Sequence, residues 1–211
     1  MLVKRNNRTV DVPEPLPALR RWVEDEFLGN TVFGWLNAAG NLTPAAVPRI
    51  NRLVSRALAA RSYSDAGHRV FTAPRDVVFR EMEYAVPREA GMESLREARR
   101  LIEWSGWRIS FPVEVRSAPA DDVWLSTAYG RETVYLAFHV NARTDHRAYF
   151  AGVEPLMREY DGRPHWGKLH HRTAADLAPA CPRWDHVAAV RERADPGRVF
   201  ANDYLTRVLG P

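Results

Sequence analysis

The sequence predicts an α+β fold. Short segments in which apolar and polar residues alternate begin near Phe71, and segments with helical periodicity separate them. The composition agrees, since the 211 residues are 45% hydrophobic and 27% charged, as in folded globular proteins. A single cysteine, Cys181, excludes both an intrachain disulfide and a zinc finger.

Residues 1–70 are predicted to be a helical part. Apolar residues recur at helical spacing over 18–28, a second helix is expected over 31–39, and a third starts where Thr43 caps and Pro44 opens the first turn. The third helix carries three arginines opposite its apolar stripe, at Arg49, Arg52 and Arg56. Such a face is either solvated or bound to an anionic membrane or a nucleic acid, and the absence of any block of like charges favours the solvated alternative.

Residues 71–162 are predicted to be a sheet-and-helix part, and residues 163–211 a loop followed by a C-terminal segment. The expected strands and helices, in chain order, are a strand at 77–86, a helix at 89–104, strands at 108–116 and 133–140, a strand passing into a helix from Pro155 within 147–160, and short helices at 174–178 and 184–193.

The predicted strand at 108–116 has charged residues on one face. Its period of two places Ser110, Glu114 and Arg116 on the same side. Pro112 removes a backbone donor in mid-strand, which favours an edge or a bulge. The Glu114–Arg116 pair is either a ligand contact or a solvated pair on an exposed sheet face.

The predicted strand at 133–140 repeats this pattern, with Tyr135 and His139 on one face and Asn141 continuing it. If the two strands pair, these side chains join Glu114 and Arg116. Such a set suits a polyhydroxylated substrate, because carboxylate and imidazole accept hydroxyl protons and arginine supplies a fixed fork of donors. The alternative is that His139 is structural.

Residues 163–168 place His165, Trp166, a glycine and Lys168 in six positions, and loops of such content often carry function. The alternative is a surface turn. The histidines have no recognised metal-ligand spacing, and we find no phosphate-binding glycine motif, so neither a metal nor a nucleotide-phosphate cradle is predicted. A net charge of only +4, no signal-peptide core and no long apolar run predict a cytoplasmic protein that binds no nucleic acid.

Taken in order, the motifs resemble the C-terminal half of the aldonolactone oxidoreductases, a flavoenzyme family that includes D-arabinono-1,4-lactone oxidases, L-gulono-1,4-lactone oxidases or dehydrogenases, and alditol oxidases. The segments that carry the resemblance are Glu81 to Pro87, Phe111 to Arg116, Leu125 to Arg131, Arg163 to Lys168, Asp195 to Phe200 and Asn202 to Leu205. The resemblance implies a cap domain with an antiparallel sheet flanked by helices. It also implies that the FAD-binding domain, N-terminal in the family, is absent from this chain and is its expected partner.

The resemblance also implies roles for individual residues. It implies catalytic roles for Glu114, Arg116, His139 and Lys168, with His139 or Glu114 taking the hydroxyl proton and Arg116 or Lys168 stabilising the anionic reduced flavin. Substrate contacts are expected from Ser110, Tyr135 and Asn141. Asn141 stands at a position where some family members have a hydroxyl side chain. Residues expected on the FAD side are Arg116, His165, Lys168, Asn202 and Tyr204.

Two main hypotheses follow. The first is the cap of an FAD-dependent enzyme that oxidises a sugar lactone or an alditol, with peripheral contact to a membrane left open. The second is a cap fragment without catalysis, acting at most as a binding module. A third, a nucleic-acid or membrane-surface binder using the basic helix, would show strongly salt-dependent binding.

Overall fold

The computed structural model describes residues 3–57, 60–72 and 76–211. The chain divides into two compact units. The first comprises Met1–Phe79, Arg108–Ser110 and Asn141–Thr144, and the second comprises Arg80–Trp107, Phe111–Val140 and Asp145–Pro211. Within the described ranges, no helix combines the length and the apolar character needed to cross a membrane.

The first unit is helical. Its elements are α1 (Ala18–Arg21), a π-helical stretch (Trp22–Val32), α2 (Phe33–Leu42), a 3-10 turn (Pro44–Ala46), α3 (Val47–Ala57) and α4 (Gly67–Phe71). The prediction of two separate helices over 18–28 and 31–39 was wrong, because one helical run continues from Ala18 to Leu42. Asn30 does not break it, since this buried side chain donates to the Asp25 carbonyl and accepts from the Asp76 amide.

The start of α3 also differs from the expectation. Thr43 makes no side-chain capping bond, and Pro44 opens the 3-10 turn instead of the α-helix. Arg49 and Arg52 lie exposed on α3, whereas the side chain of Arg56 lies outside the described part of the chain.

In the described part of the chain, the sheet has four strands in the order β2-β3-β1-β4. Their bounds are β1 Phe79–Pro87, β2 Glu114–Ala118, β3 Thr133–Asn141 and β4 Arg163–Pro164. Antiparallel pairing places Glu114 opposite Ala137, and Arg116 opposite Tyr135. It also places Tyr84 opposite Pro164. The predicted α+β class with an antiparallel sheet is confirmed.

The strand predicted at 108–116 is shorter than expected, because β2 begins only at Glu114. Pro112 has no N–H for the ladder. On the N-terminal side of Pro112, the Ile109 carbonyl accepts a hydrogen bond from the Asn51 side chain of α3 at 3.0 Å. Helix α3 therefore holds the backbone at Ile109. The placement of Ser110 on the same strand face as Glu114 was therefore wrong. β2 is an exposed edge strand.

The core of the second unit lies on one face of the sheet, under the helices α5 (Gly91–Ser105) and α6 (Arg147–Glu159). The residues that fill it from β1, β3 and α6 are Met82, Tyr84, Val86, Leu136, Phe138, Val140, Tyr149, Phe150, Val153 and Met157, all buried. Gly106 ends α5 in the left-handed conformation at φ 69°, which glycine adopts without steric cost.

The prediction that residues 147–160 form a strand leading into a helix at Pro155 was also wrong. Helix α6 starts at Arg147 and carries Pro155 in its interior. Tyr149, Phe150, Val153 and Met157 recur at helical spacing, and burying them together favours the helix over the strand that two adjacent aromatics suggest. Three further helices close the chain: α7 Ala174–Leu177, α8 Trp184–Ala194 and α9 Asp203–Leu209.

Candidate functional site

The sheet face opposite the core is polar. Because side chains alternate along a strand, Glu81 and Glu83 of β1 point away from the face that buries Met82 and Tyr84. The register of β2 and β3 brings the predicted side chains to the same polar face. We call six residues the charged cluster: Glu81, Glu83, Glu114, Arg116, His139 and Lys168.

An unbroken series of contacts joins the charged cluster. Glu83 accepts from Arg116 Nη2 at 2.5 Å, and the same carboxylate oxygen accepts from Lys168 Nζ. Lys168 Nζ also donates to Glu81 Oε1 at 2.5 Å. His139 Nε2 lies 3.0 Å from that same Glu81 oxygen. Glu114 joins the series through its ion pair with Arg116, so the structure brings together all four residues for which a catalytic role was predicted.

Burial divides the charged cluster into a floor and a rim. Glu83 is 2% exposed and His139 is 8% exposed, so these two lie at the floor. The side chains of Arg116 and Glu114 are 48% and 46% exposed, with 3.6 Å between Arg116 Nε and Glu114 Oε1. The rim thus offers a donor fork and a carboxylate to an approaching molecule.

Glu81 is held ionised. Burial acts to raise its pKa, but hydrogen bonds from His139 and Lys168 outweigh burial and lower the pKa to about 2. The His139 ring stacks on Phe111, with centroids 6.2 Å apart. The imidazole is therefore fixed by a carboxylate at one nitrogen and by an aromatic ring at its face.

The loop that carries Lys168 is anchored to β1 through its backbone. The amides of His165 and Leu169 donate to the carbonyls of Glu83 and Glu81, both at 2.9 Å. His165 Nδ1 accepts from the Gly167 amide at 3.0 Å, and its carbonyl accepts from the Lys168 amide. His165 shapes this turn, and its predicted contact with FAD stays a prediction.

The C-terminal helix α9 contacts the same loop. The Tyr204 hydroxyl donates to the Trp166 carbonyl, and His170 Nε2 lies 3.2 Å from the Tyr204 oxygen. Asn202 caps α9 by accepting from the Leu205 amide at 2.9 Å. These contacts give Asn202 and Tyr204 structural roles, and their predicted contacts with FAD stay predictions.

The three predicted substrate-binding residues have different surroundings. Tyr135 lies opposite Arg116 and its hydroxyl accepts from Thr127 at 3.0 Å. Ser110 lies in the first unit and donates to Asn37 Oδ1 at 2.6 Å. Asn141 ends β3, and its side chain accepts from the Arg143 amide at 3.0 Å. Of the three, only Tyr135 belongs to the second unit, which holds the charged cluster.

Sequence reasoning assigned no role to Glu81 or Glu83, although both stand within a segment that it correctly predicted as a strand. The available signal was the period of two, which places both carboxylates on one face of a strand whose other face is apolar.

The fold and the charged cluster define an α+β protein with a polar sheet face lined by hydrogen-bonding charged side chains. The family profile described as D-arabinono-1,4-lactone oxidase matches residues 1–208. The chain belongs to this family.

Named relatives agree with the family profile. The chain is 44% identical over 210 residues to an L-gulono-1,4-lactone dehydrogenase of Mycobacterium tuberculosis, covering 100% of this chain and 49% of the relative. It is 28% identical to an L-gulonolactone oxidase of Bos taurus, and the match covers 93% of this chain and 46% of the relative. It is 31% identical to an alditol oxidase of a Streptomyces species, and that match covers 61% of this chain and 31% of the relative. The chain spans about half the length of the first two relatives.

Proposed function

We propose that this chain is the substrate-binding and catalytic cap of an FAD-dependent oxidoreductase that oxidises a sugar-1,4-lactone of the D-arabinono or L-gulono type. The observation that carries the proposal is the unbroken series of contacts through which Glu81 and Glu83 join Arg116, His139 and Lys168. In this proposal the FAD-binding partner corresponds to the half of the relatives that the match does not cover.

The residues of the charged cluster fit such a cofactor. Arg116 and Lys168 can only donate hydrogen bonds, and the half-exposed Arg116 fork can face a planar ring that gains negative charge. FAD, when bound, supplies the hydride acceptor. These two cations would then stabilise the charge that develops as the substrate is oxidised.

Removal of the hydroxyl proton falls to Glu114 in this proposal. Its carboxylate is half exposed at the rim, and its ion pair with Arg116 is long at 3.6 Å, so it can accept a hydrogen bond from a substrate hydroxyl. His139 Nε2 is already engaged with Glu81, which suits His139 to orienting a neighbouring hydroxyl at the floor. Glu114 and His139 are the two residues that the sequence analysis offered as acceptors of the hydroxyl proton.

The experiment joins this chain to the half of the mycobacterial relative that the match does not cover. Purified fusion protein is assayed for lactone-dependent reduction of a dye, with D-arabinono- and L-gulono-1,4-lactone as substrates. We expect activity in the fusion, and a fall in kcat of about 10²-fold or more in Glu114→Gln and in Arg116→Gln.

Arg88 and Glu132 provide the matched control, because they form an exposed ion pair of 3.1 Å with the same residue chemistry. Arg88→Gln and Glu132→Gln should leave kcat within about twofold, as exposed pairs contribute little. A fusion that binds FAD and lactone but does not turn over would overturn the proposal and favour a binding module. Equal losses in the site and control variants would overturn the assigned roles.

A further inference from the structure

Glu83 is the most buried carboxylate of the charged cluster, with a side chain 2% exposed. A buried carboxylate is costly unless cations and hydrogen bonds compensate for lost hydration. Glu83 has two such cations, Arg116 and Lys168, and both donate to its oxygen Oε2. Its own backbone carbonyl accepts from the His165 amide at 2.9 Å.

The two cations come from separate elements. Arg116 stands on the exposed edge strand β2, and Lys168 stands in the loop after β4. Each also has an acid contact of its own: Arg116 with Glu114 and Lys168 with Glu81. Among the described ion pairs, Glu83 is the carboxylate that both cations share. It is therefore the link between the edge strand and the loop.

The residue types suit this link. Lys168 has a compact ammonium with three donors, which can sit between the oxygens of Glu81 and Glu83. Arg116 has a rigid fork, so binding through Nη2 orients the whole guanidinium. Long side chains without such an anchor sample many rotamers.

We infer that Glu83 is a positioning residue that fixes Arg116 and Lys168 in the geometry needed for reaction. Its effect on turnover rests on the proposed function, whereas its hold on Lys168 can be measured without any cofactor or substrate.

The two lysines of the chain provide that measurement. Purified 211-residue chain is acetylated briefly with sulfosuccinimidyl acetate, and mass spectrometry of peptides gives the ratio of labelling at Lys168 to labelling at exposed Lys4. In the native chain the ratio should be low, because the Lys168 ammonium is bound to two carboxylates and its side chain is 17% exposed. In Glu83→Gln the ratio should rise about tenfold, as one charge-assisted hydrogen bond is lost.

Glu132→Gln is the control for general loosening and should leave the labelling ratio unchanged. Glu83→Asp keeps the charge on a shorter side chain that cannot reach both cations, so it should raise the ratio by a few-fold. This variant decides the question if Glu83→Gln does not fold. A ratio in both Glu83 variants equal to that of Glu132→Gln would overturn the inference.

Kinetics of the fusion protein give the second readout. Glu83→Gln should lower kcat about 10²-fold with KM changed far less, and Glu83→Asp should restore part of the loss. Should the unmodified fusion be inactive, the proposed function fails while the labelling ratio still tests Glu83. Should the fusion be active and Glu83→Gln retain full kcat, the inference fails and the proposed function stands.

Discussion

The hydroxyl of Tyr204 in α9 donates a hydrogen bond to the backbone carbonyl of Trp166, two residues before Lys168. The Trp166 indole in turn donates to the Leu125 carbonyl at 2.8 Å. The loop is thus held from the C-terminal helix on one side and from the 121–130 segment on another. A side chain far along the sequence therefore bears on the position of Lys168.

Tyr204→Phe should loosen this loop. The substitution leaves the Trp166 carbonyl and His170 Nε2 without the phenol oxygen, which should cost about 2 kcal/mol in the free energy of unfolding. Urea denaturation followed by circular dichroism measures this loss. Limited proteolysis should show faster cleavage within residues 163–168.

Tyr160→Phe is the control, since Tyr160 follows the last residue of α6 and is not part of the loop contacts. It should change the free energy of unfolding by less than about 0.5 kcal/mol. Unchanged proteolysis of the loop in Tyr204→Phe would show that α9 does not restrain it.

Acid should destabilise the fold through His170. Burial lowers the pKa of this imidazole to about 4. An unfolded histidine binds its proton near pH 6.5 and the folded one only near pH 4, so the stabilisation is complete above about pH 6.5 and is lost as the pH falls to about 4. The loss should approach roughly 3 kcal/mol, and denaturation midpoints between pH 7 and pH 4 measure it.

His170→Gln should flatten this part of the pH profile, because the amide can still donate to Tyr204 but does not titrate. His186→Asn, at an exposed histidine of α8, should leave the profile unchanged. A profile that is as steep in His170→Gln as in the native chain would assign the acid sensitivity to other groups.

Much of the second unit could be predicted from the sequence, because β1 and β3 carry their large buried apolar residues at every second position and pack on helices with clear periodicity. The pattern in residues 133–140 located His139 on the correct face, and the edge character implied by Pro112 was correct for β2. Local pattern suffices where one face of an element is buried in a continuous core.

The errors occurred where contacts distant in sequence override local preference. Ser110 follows the alternation of a strand, yet the carbonyl beside it is held by Asn51 and its own hydroxyl by Asn37. Pro155 suggested a helix start, yet the burial of Tyr149 and Phe150 extends the helix upstream. Glu83 was missed because its partners, Arg116 and Lys168, are 33 and 85 residues away.

A buried network on the core face of β1 should contribute strongly to stability. Tyr84 donates to Glu154 Oε1 at 2.5 Å, and the His171 amide donates to the same oxygen at 2.9 Å. Burial acts to raise the pKa of Glu154, but these bonds and the His171 ring lower it. The ionised carboxylate therefore stabilises the fold fully at pH values above the ordinary glutamate pKa. This stabilisation is lost as the pH falls from there through the lowered pKa of Glu154 in the folded chain.

Glu154→Gln should lower the free energy of unfolding by about 3 kcal/mol at pH 7, because an amide cannot accept from all of these donors. Tyr84→Phe should cost less, about 1.5 kcal/mol, as it removes one donor. Glu159→Gln, at an exposed position of α6, is the control and should be nearly neutral. If the three variants unfolded at the same urea concentration, the network would not be a source of stability.

Gly162 should not tolerate even a methyl group, because α6 and β4 meet there. A Cβ at this position would lie 2.5 Å from the Met157 carbonyl oxygen and 2.9 Å from Tyr84 Cδ1. The Gly162 amide donates to that same carbonyl at 2.8 Å, so the backbone cannot move away without losing the bond. Gly162→Ala should therefore cost about 2 to 3 kcal/mol and displace β4.

Gly197→Ala is the matched control, since among the described residues its Cβ would meet only Val199 at 3.8 Å, an ordinary contact. It should be neutral or stabilise slightly, because alanine restricts the unfolded chain. Urea denaturation of both variants tests the difference, and the acetylation ratio of Lys168 tests whether displacing β4 also releases the loop. A Gly162→Ala chain as stable as Gly197→Ala would show that α6 and β4 can separate at this point without cost.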